Sequence, residues 1–349
     1  MLLNALRNGA SSLFGLLSVA AVCSALVGCD DGSKSPVPNE VAQGGSTTPK
    51  LEKVKLQLNW VAEPEFGGFY AAQDKALFQN EGIEVEIVQG GPGVPAPQLA
   101  ASGKVEFAVV AAPQVVELAE QGGDLVALFA VYQGTPMGVM VHESSPYNTL
   151  NELWQSDATI SIEQGHADYR WISKQYPDSK IKVVPYSGNL AGFAADPKLA
   201  SQCFITSEPV QLELQGVKTR VFMLGDSGFD PYNGVVVTTR AYYEAHRDLC
   251  KKLVKAMAAG WRAYLDNPKP YNETMTRLNP GMNLAAMNLA ADKQAKLIAN
   301  DETKRVGLGG MRFARWEEMC KQLVELGTAK KMPDVQSLFV WDTEAGTAR

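Results

Sequence analysis

Strand-like and helical patterns alternate between residues 54 and 139, and this alternation restricts the fold more than any other feature of the chain. Residues 54–60 and 83–88 alternate apolar and polar side chains at the strand period. Residues 107–111 and 125–132 are continuous apolar runs, as expected of strands covered on both faces. Helical patterns follow three of these strands, at 66–78, 97–102 and 113–121. The alternation predicts an α/β fold with a mainly parallel sheet between helices.

A second series of the same kind begins near residue 138. Its strands and helix are predicted at 138–141, 158–162, 168–175, 181–185 and 202–206. Residues 232–239 then form a returning β-branched strand, and a long helix at 241–265 follows with a buried stripe of Tyr243, Leu249, Leu253, Met257 and Trp261.

This course of the chain predicts two doubly wound α/β domains joined by two crossover strands. Domain I comprises residues 51–138 and 236–349, and domain II comprises residues 139–235. Because a few residues in paired connections can absorb a hinge motion, the cleft between the domains is the predicted binding site.

The amino terminus has the pattern of an export signal. Arg7 precedes an apolar run at 13–27 that is too short to span a bilayer comfortably. The run closes on Leu26-Val27-Gly28-Cys29, which resembles a bacterial lipobox and implies a lipoprotein signal peptide of residues 1–29 with a diacylglycerol on Cys29. An ordinary signal peptide with an incidental cysteine is the alternative.

Residues 30–50 are rich in Gly, Ser, Pro and charged side chains, and we expect them to form a flexible tether. Asp30 resembles the signal that retains lipoproteins in an inner membrane. These features predict a periplasmic or extracytoplasmic protein that is lipid-anchored to the cell membrane.

Composition and motifs argue against several functional classes. The net charge of -6 and the pI near 5.3 provide no basic surface for nucleic acid. Cys203, Cys250 and Cys320 lack metal-site spacing, and we favour buried thiols over a disulfide between two of them. The chain has no GxSxG, HExxH or P-loop, and no GxGxxG next to a strand. We therefore predict a monomer with no metal, no cofactor, no catalytic residue and no nucleic-acid partner.

Three segments, at 57–91, 99–140 and 206–216, resemble the SsuA/NMT1/THI5-like solute-binding proteins of ABC importers. The resemblance implies the type II periplasmic-binding-protein fold and covers essentially everything after the tether. It also implies a small-molecule solute, and an ABC permease and ATPase as partners. Ligands of this family include aliphatic sulfonates, nitrate, pyrimidine precursors of thiamine and riboflavin-like heterocycles.

The same superfamily contains the fungal thiamine pyrimidine synthase, which is the rival enzymatic interpretation. Alignment on residues 102–105 places that enzyme's cofactor lysine at Val110 and its donor histidine at Gln114. Valine and glutamine cannot supply the amine and the imidazole that this chemistry needs. We therefore expect no enzyme; a sensory ligand-binding lipoprotein is the other alternative.

In a doubly wound fold, ligands bind beyond the carboxyl ends of the strands. By this rule we predict ligand contacts from Asn59, Trp60, Glu65, Phe66, Ala112, Gln114, Tyr132, Gly165, Asp168, Tyr169, Glu208 and Tyr232. Residues 165–169 open a helix whose free N–H groups can hold a solute acceptor.

Two of these residues have alternative interpretations. Trp60 offers a flat face for a planar ring, but it fits a core position equally well. Glu208 can accept hydrogen bonds from an amino-substituted ring, and capping of the following helix explains it nearly as well.

Acidic residues determine the predicted ligand class. Glu63 and Glu65, together with Asp168 and Glu208, would form an acidic groove. Burying a strong anion beside unpaired carboxylates costs several kcal/mol. We therefore predict a neutral or cationic solute, and favour a pyrimidine or thiamine-precursor-like molecule over a sulfonate or nitrate.

Overall fold

The computed structural model describes residues 50–163 and 165–340. The predicted signal peptide, the Cys29 lipidation site and all but the last residue of the predicted tether lie outside these residues. In the part of the chain that is described, no helix is both long enough and apolar enough to cross a bilayer.

Ten strands form two five-stranded sheets within the described residues. The strands are β1 (Glu52–Gln57), β2 (Ile83–Val88), β3 (Phe107–Val110), β4 (Leu125–Tyr132), β5 (Met137–His142), β6 (Thr159–Ile162), β7 (Lys182–Pro185), β8 (Leu199–Phe204), β9 (Thr219–Met223) and β10 (Asn233–Thr239). The first sheet has the order β2-β1-β3-β10-β4 and the second the order β7-β6-β8-β5-β9. In each sheet four strands run in one direction and one strand, β10 or β5, runs against them.

The helices connect the strands and cover the sheets, as the predicted α/β fold requires. They are α1 (Gly67–Asp74), α2 (Leu77–Asn80), α3 (Ala96–Ala101), α4 (Ala112–Glu120), α5 (Leu150–Trp154), α6 (Ala167–Gln175), α7 (Leu190–Ala195), α8 (Glu208–Leu214), α9 (Arg240–Ala245), α10 (Arg247–Asp266), α11 (Lys269–Leu278), α12 (Leu284–Ile298), α13 (Asp301–Val306) and α14 (Phe313–Glu325). Short 3-10 helices lie at Pro64–Phe66, Leu224–Ser227 and Val335–Ser337.

The burial of the first sheet follows its sequence patterns. The edge strand β2 alternates buried Ile83 and Val85 with exposed glutamates, so one face of it is covered. All residues of β3 and β4 are buried. Although β4 is also an edge strand, Ala127 N donates to the Leu338 carbonyl oxygen at 2.9 Å and Ala130 N donates to Gly309 O at 3.0 Å. The carboxyl-terminal part of the chain therefore covers the second edge of this sheet.

Two predicted helices are interrupted in the structure. The predicted helix at 66–78 consists of the 3-10 helix at Pro64–Phe66, α1 and α2, because Ala76 has left-handed backbone with φ 54°. The predicted helix at 241–265 is divided into α9 and α10 at His246, whose φ of -129° and ψ of 39° are not helical. No proline or glycine marks either interruption in the sequence.

The predicted buried stripe of the long helix is confirmed for its α10 residues, since Leu249, Leu253, Met257 and Trp261 are all buried. α10 packs on α1 at close range. A Cβ at Gly68 would lie 2.2 Å from ring atoms of Trp261, so this approach requires a glycine.

The three cysteines of the described residues, Cys203, Cys250 and Cys320, are buried free thiols. This confirms the interpretation that we favoured over a disulfide.

The chain passes from the first sheet to the second between β4 and β5, and it returns between β9 and β10. Thr135 N on the first connection donates to Asp230 Oδ1 on the second at 2.7 Å. Arg315 of α14 donates to the carbonyl oxygens of Gln133 and Asp230, and its guanidinium lies 4.2 Å from the ring centroid of Tyr232. Hydrogen bonds therefore join the two connections to each other and to α14.

Candidate functional site

A cavity of about 290 Å³ lies at the carboxyl ends of parallel strands from both sheets. Its walls come from the segments that follow β1, β2 and β3 and from those at the ends of β6, β7 and β8. The lining residues are Asn59, Trp60, Glu63, Glu65, Gly91, Gly93, Val94, Ala96, Pro97, Ala111, Gln114, Met137, Glu163, His166, Asp168, Tyr186, Gln202, Cys203, Phe204, Ser207, Glu208 and Asn233. Ligand pockets measure roughly 300–1,000 Å³, so this cavity suits a small solute.

The cavity wall is acidic. No lysine or arginine is among its described lining residues. Five carboxyl side chains line it, namely those of Glu63, Glu65, Glu163, Asp168 and Glu208. The imidazole of His166 lies 3.5 Å from a Glu163 carboxylate oxygen. A strong anion would face carboxyl groups without a lysine or arginine to pair with, so the wall suits neutral or cationic groups.

Glu63 and Glu65 flank Pro64 after β1, and they are only 6% and 9% exposed. Gln294 Nε2 of α12 donates to the Pro64 carbonyl oxygen at 2.7 Å, which fixes this turn. Burial raises the pKa of Glu63 to about 8, and the charge of Glu208 adds to the rise. Burial also raises the pKa of Glu65 well above its usual range, with further contributions from the charges of Glu63 and Glu208. The surroundings therefore favour the protonated form of both carboxyls.

Glu208 is the first residue of α8, and two hydrogen bonds hold its carboxylate. Phe204 N donates to Oε2 at 2.7 Å, and the Tyr186 hydroxyl donates to Oε1. Burial raises the pKa of Glu208, whereas these two hydrogen bonds lower it. The carboxylate thus lines the cavity and also ties the end of β8 to α8, so the two roles considered from the sequence coincide.

Glu163 directly follows β6, and Asp168 lies in the first turn of α6. Burial raises the pKa of Asp168 to about 6, although the nearby His166 lowers it, and Thr135 Oγ1 donates to Asp168 Oδ1 at 3.4 Å. Glu163 pairs with Gln202 of β8: its backbone N donates to Gln202 Oε1 at 2.6 Å, and Gln202 Nε2 donates to its carboxylate at 3.1 Å. Glu163 is therefore positioned by the neighbouring strand β8, and Asp168 contacts the connection between β4 and β5.

The first sheet contributes a ring and two amides. Trp60 is half-buried, lines the cavity and packs against the core, so its position fits both interpretations considered from the sequence. Asn59 Oδ1 is buried and has no hydrogen-bond partner among the described residues. Gln114 Oε1 accepts from Ala111 N at 2.9 Å, which orients its amide at the start of α4. Asn59 therefore offers an acceptor that a ligand donor can satisfy.

The cavity brings together half of the predicted contacts, namely Asn59, Trp60, Glu65, Gln114, Asp168 and Glu208. The other six lie outside its lining: Phe66, Ala112, Tyr132, Gly165, Tyr169 and Tyr232. Whether a ligand touches any of the twelve stays a prediction.

The residues outside the lining follow strands as predicted, but their side chains are directed elsewhere. Phe66 and Tyr169 are buried in hydrophobic clusters of the first and second sheets. The Tyr132 hydroxyl donates to Gln294 Oε1 at 2.5 Å, and the Tyr232 hydroxyl accepts from Arg312 N at 2.9 Å.

Ala112 is buried, and its backbone N donates to the Tyr232 carbonyl oxygen at 3.1 Å. Gly165 is exposed and has left-handed backbone with φ 105°. The strand-end rule thus located these segments but not the direction of their side chains.

Several lining residues were not predicted as contacts. Glu163 and Tyr186 directly follow β6 and β7, and the segment at 91–97, which ends in the first turn of α3, follows β2, so the same rule would have identified them. Cys203 and Phe204 lie at the end of β8. The sequence predicted that strand at 202–206, so its carboxyl end was placed two residues too late and both residues fell inside the predicted strand.

Among the described residues, no group of three or more His, Cys, Asp or Glu side chains is arranged to hold a metal ion. The chemistry of the wall is therefore that of hydrogen-bond acceptors, protonated carboxyls and one half-buried indole.

Residues 63–270 match the family described as NMT1/THI5 like. The chain is 23% identical over 325 residues to the riboflavin-binding protein RibY of Chloroflexus aurantiacus, covering 87% of this chain and 88% of that protein. It is 22% identical to the formylaminopyrimidine-binding protein of Halalkalibacterium halodurans, with 78% of this chain and 85% of that protein covered.

The fold is that of periplasmic binding proteins. The periplasmic aliphatic sulphonate binding protein SsuA of Escherichia coli superposes with a TM-score of 0.61 at 13% identity, over 84% of this chain and 93% of that protein. At this identity the likeness concerns the fold alone. The superposition and the strand orders of the two sheets together confirm the predicted type II architecture.

Proposed function

The chain belongs to the NMT1/THI5-like family, and from this premise we propose that it is the substrate-binding component of an ABC importer. Its solute is a small neutral or cationic heteroaromatic molecule, resembling a pyrimidine or a thiamine precursor rather than a sulfonate or nitrate. One observation carries the ligand class: five carboxyl side chains and no lysine or arginine line the described cavity. The formylaminopyrimidine and riboflavin ligands in the names of two relatives agree with a nitrogen-rich ring.

The two sheets form the cores of two domains that close on the solute. The domain limits predicted from the sequence, at 138/139 and 235/236, fall inside β5 and β10, two and three residues from the start of each strand. Motion about the two connections would separate Glu208 of α8 from Glu63 and Glu65, which opens the cavity.

The mature protein is tethered outside the cytoplasm. A diacylglycerol on Cys29 and the tether of residues 30–50 hold it at the cell membrane beside an ABC permease and ATPase, and no nucleic acid takes part. Acid hydrolysis and mass spectrometry of the amino-terminal peptide test this anchor; an unmodified Cys29 in membrane fractions would contradict it.

The protein binds its solute without converting it. At the positions that align with the cofactor lysine and the donor histidine of the pyrimidine synthase, Val110 is buried in β3 and Gln114 caps α4 with its own side chain. Neither side chain can form a Schiff base or donate an imidazole.

Titration calorimetry with a ligand panel tests the ligand class. The panel contains a 4-aminopyrimidine, riboflavin, taurine and nitrate. We expect saturable binding of an uncharged ring compound and no binding of the two charged or zwitterionic oxyanion compounds. Saturable taurine or nitrate binding without a response to the ring compounds would reverse the proposal.

Two substitutions test the place of the site. Trp60→Ala removes the ring face, and Glu208→Gln removes a charge while its amide oxygen can still accept from Phe204 N. Each should weaken binding about tenfold or more without unfolding the protein. Glu213→Gln, an exposed change on the same helix, is the matched control. Unchanged affinity in both cavity variants would show that the ligand binds elsewhere.

A further inference from the structure

Glu65 is a buried carboxyl at the cavity wall without a hydrogen-bond partner of its own. It is 9% exposed and lines the cavity. Among the described residues, none donates a hydrogen bond to its side chain, in contrast to Glu208 and Glu163. A buried polar group without a partner is rare in folded proteins, and it points to a partner that the bound solute supplies.

The surroundings of Glu65 hold its carboxyl in a fixed place. Its turn is tied to α12 by the hydrogen bond from Gln294 Nε2 to Pro64 O, and Gln294 in turn accepts from the Tyr132 hydroxyl at 2.5 Å. Phe66 N donates to the Glu63 carbonyl oxygen at 2.9 Å. The side chain therefore starts from a backbone that is hydrogen-bonded on both sides.

The titratable groups that interact with Glu65 are all acids. The carboxyls of Glu63 and Glu208 interact with it electrostatically, and so does the phenol of Tyr132. No lysine or arginine is among the described residues of the cavity wall. Burial and these neighbours raise the pKa of Glu65 and thus favour its carboxylic acid form.

A carboxylic acid differs from a carboxylate in what it recognises. It carries an O–H donor and a C=O acceptor on one edge, whereas a carboxylate carries acceptors only. The acid edge matches a ring nitrogen with a neighbouring amino group, which offers one acceptor and one donor. A carboxylate matches a cation with two parallel N–H donors.

We propose that Glu65 binds the solute as a carboxylic acid, donating its O–H to a ring nitrogen and accepting from the adjacent amino group of an uncharged amino-substituted heterocycle. Asn59 Oδ1, the unsatisfied acceptor on the same wall, receives a further N–H of the solute. This inference rests on the proposed function and narrows its ligand class from neutral or cationic to neutral. No proton leaves the protein when the solute binds.

Two substitutions separate the acid from the carboxylate. The amide of Glu65→Gln also presents one donor and one acceptor on one edge, so affinity for a 4-aminopyrimidine at about pH 7.5 should stay within about threefold of the wild type. Glu65→Met keeps the length and removes both groups, so affinity should fall about thirtyfold or more. Glu213→Gln serves as the control outside the cavity, and circular dichroism checks that each variant is folded.

A charged probe and a change of buffer complete the test. Benzamidinium, a cation with two parallel N–H donors, should bind more weakly than the 4-aminopyrimidine, and heats of 4-aminopyrimidine binding in phosphate and Tris should agree because no proton is exchanged. The inference is overturned if Glu65→Gln loses as much affinity as Glu65→Met, if neither variant loses affinity, or if benzamidinium binds more tightly with proton release. A wild-type protein that binds no ring compound overturns the proposed function, whereas these three outcomes leave it standing.

Discussion

The carboxyl groups of the cavity and the carboxylate of Asp230 have opposite surroundings. In the cavity, Glu63 and Glu65 are buried beside Glu208, and no lysine or arginine lines the described wall. At the connections between the sheets, Asp230 accepts from Thr135 N at 2.7 Å and its Oδ2 lies 3.3 Å from an Arg315 nitrogen. Both regions lie where the two sheets meet, yet only at the connections is the acidic group paired with an arginine.

This difference shows that carboxyl groups have two roles in the molecule: Asp230 stabilises the structure, whereas the cavity carboxyls are available to a ligand. Asp230 and Arg315 satisfy each other, and Arg315 also donates to the carbonyl oxygens of both connections. Such charge-assisted hydrogen bonds stabilise one geometry. Buried carboxyls that repel each other destabilise the folded chain unless they are protonated or meet a ligand. The unpaired cluster is therefore the one that a solute can complete.

The largest effect is expected from removing Arg315, the partner of Asp230. Arg315→Ala removes hydrogen bonds to Gln133 O and Asp230 O and the contact with the Tyr232 ring. We expect the free energy of unfolding to fall by about 3 kcal/mol, measured by urea denaturation. Lys321→Ala, which breaks an exposed pair with Glu317 on the same helix, is the control and should change it by less than about 0.5 kcal/mol. An equally small effect of Arg315→Ala would show that the connections do not depend on this residue.

The buried carboxyls of the cavity should make the stability of the protein depend on pH. The pKa of Glu63 is raised from 4.5 to about 8, so the folded protein binds this proton more tightly than the unfolded chain does. Its contribution to stability is complete below about pH 4.5 and is lost as the pH rises through about 8. Glu63→Gln cannot titrate, so it should reduce the loss of stability between about pH 5 and about pH 6.5 by about 2 kcal/mol.

The measurement is urea denaturation of the wild type and of Glu63→Gln across that pH range. Glu213→Gln, an exposed glutamate of α8, should keep the wild-type slope. A slope that Glu63→Gln leaves unchanged would mean that this carboxyl is already ionised in the folded protein, and the contrast with Asp230 would disappear.

Much of the fold could be predicted because its strands carry their burial in the sequence. The predicted strands at 83–88 and 125–132 agree with β2 and β4 to the residue, since alternation and continuous apolar runs report which faces are covered. The interruptions at Ala76 and His246 could not be predicted. The apolar pattern continues across both. The His246 ring stacks on the nearby Tyr242, and its Nδ1 lies 3.4 Å from a carboxylate oxygen of Glu52, a partner that is distant in sequence and that the local pattern does not report.

The candidate site was predictable to the level of chain segments. The strand-end rule led to Trp60, Glu65 and Glu208 because parallel strands end at one edge of a sheet. It failed for Tyr132 and Tyr232, whose hydroxyls bond to Gln294 and Arg312 far along the chain. A rule based on position along a strand contains no information about such partners.

The smallest effect is expected from a substitution that compares the two glutamates of α8, Glu208 and Glu213. α8 begins with Glu208 at the cavity and carries Glu213 near its other end, where Lys293 of α12 lies 3.0 Å from the Glu213 carboxylate. Both partners of this pair are partly exposed, so water screens their attraction. Lys293→Ala should therefore lower the free energy of unfolding by about 0.5 kcal/mol at low salt and by less at high salt, in the same urea assay. A loss of about 2 kcal/mol or more would mean that this surface pair, and not only the Arg315 contacts, holds the two sheets together. A loss near the expected value would mean that the pair of Glu213 with Lys293 contributes little to stability. The two glutamates of α8 would then differ in their partners: Glu213 has a lysine, whereas Glu208 has hydrogen bonds and the solute.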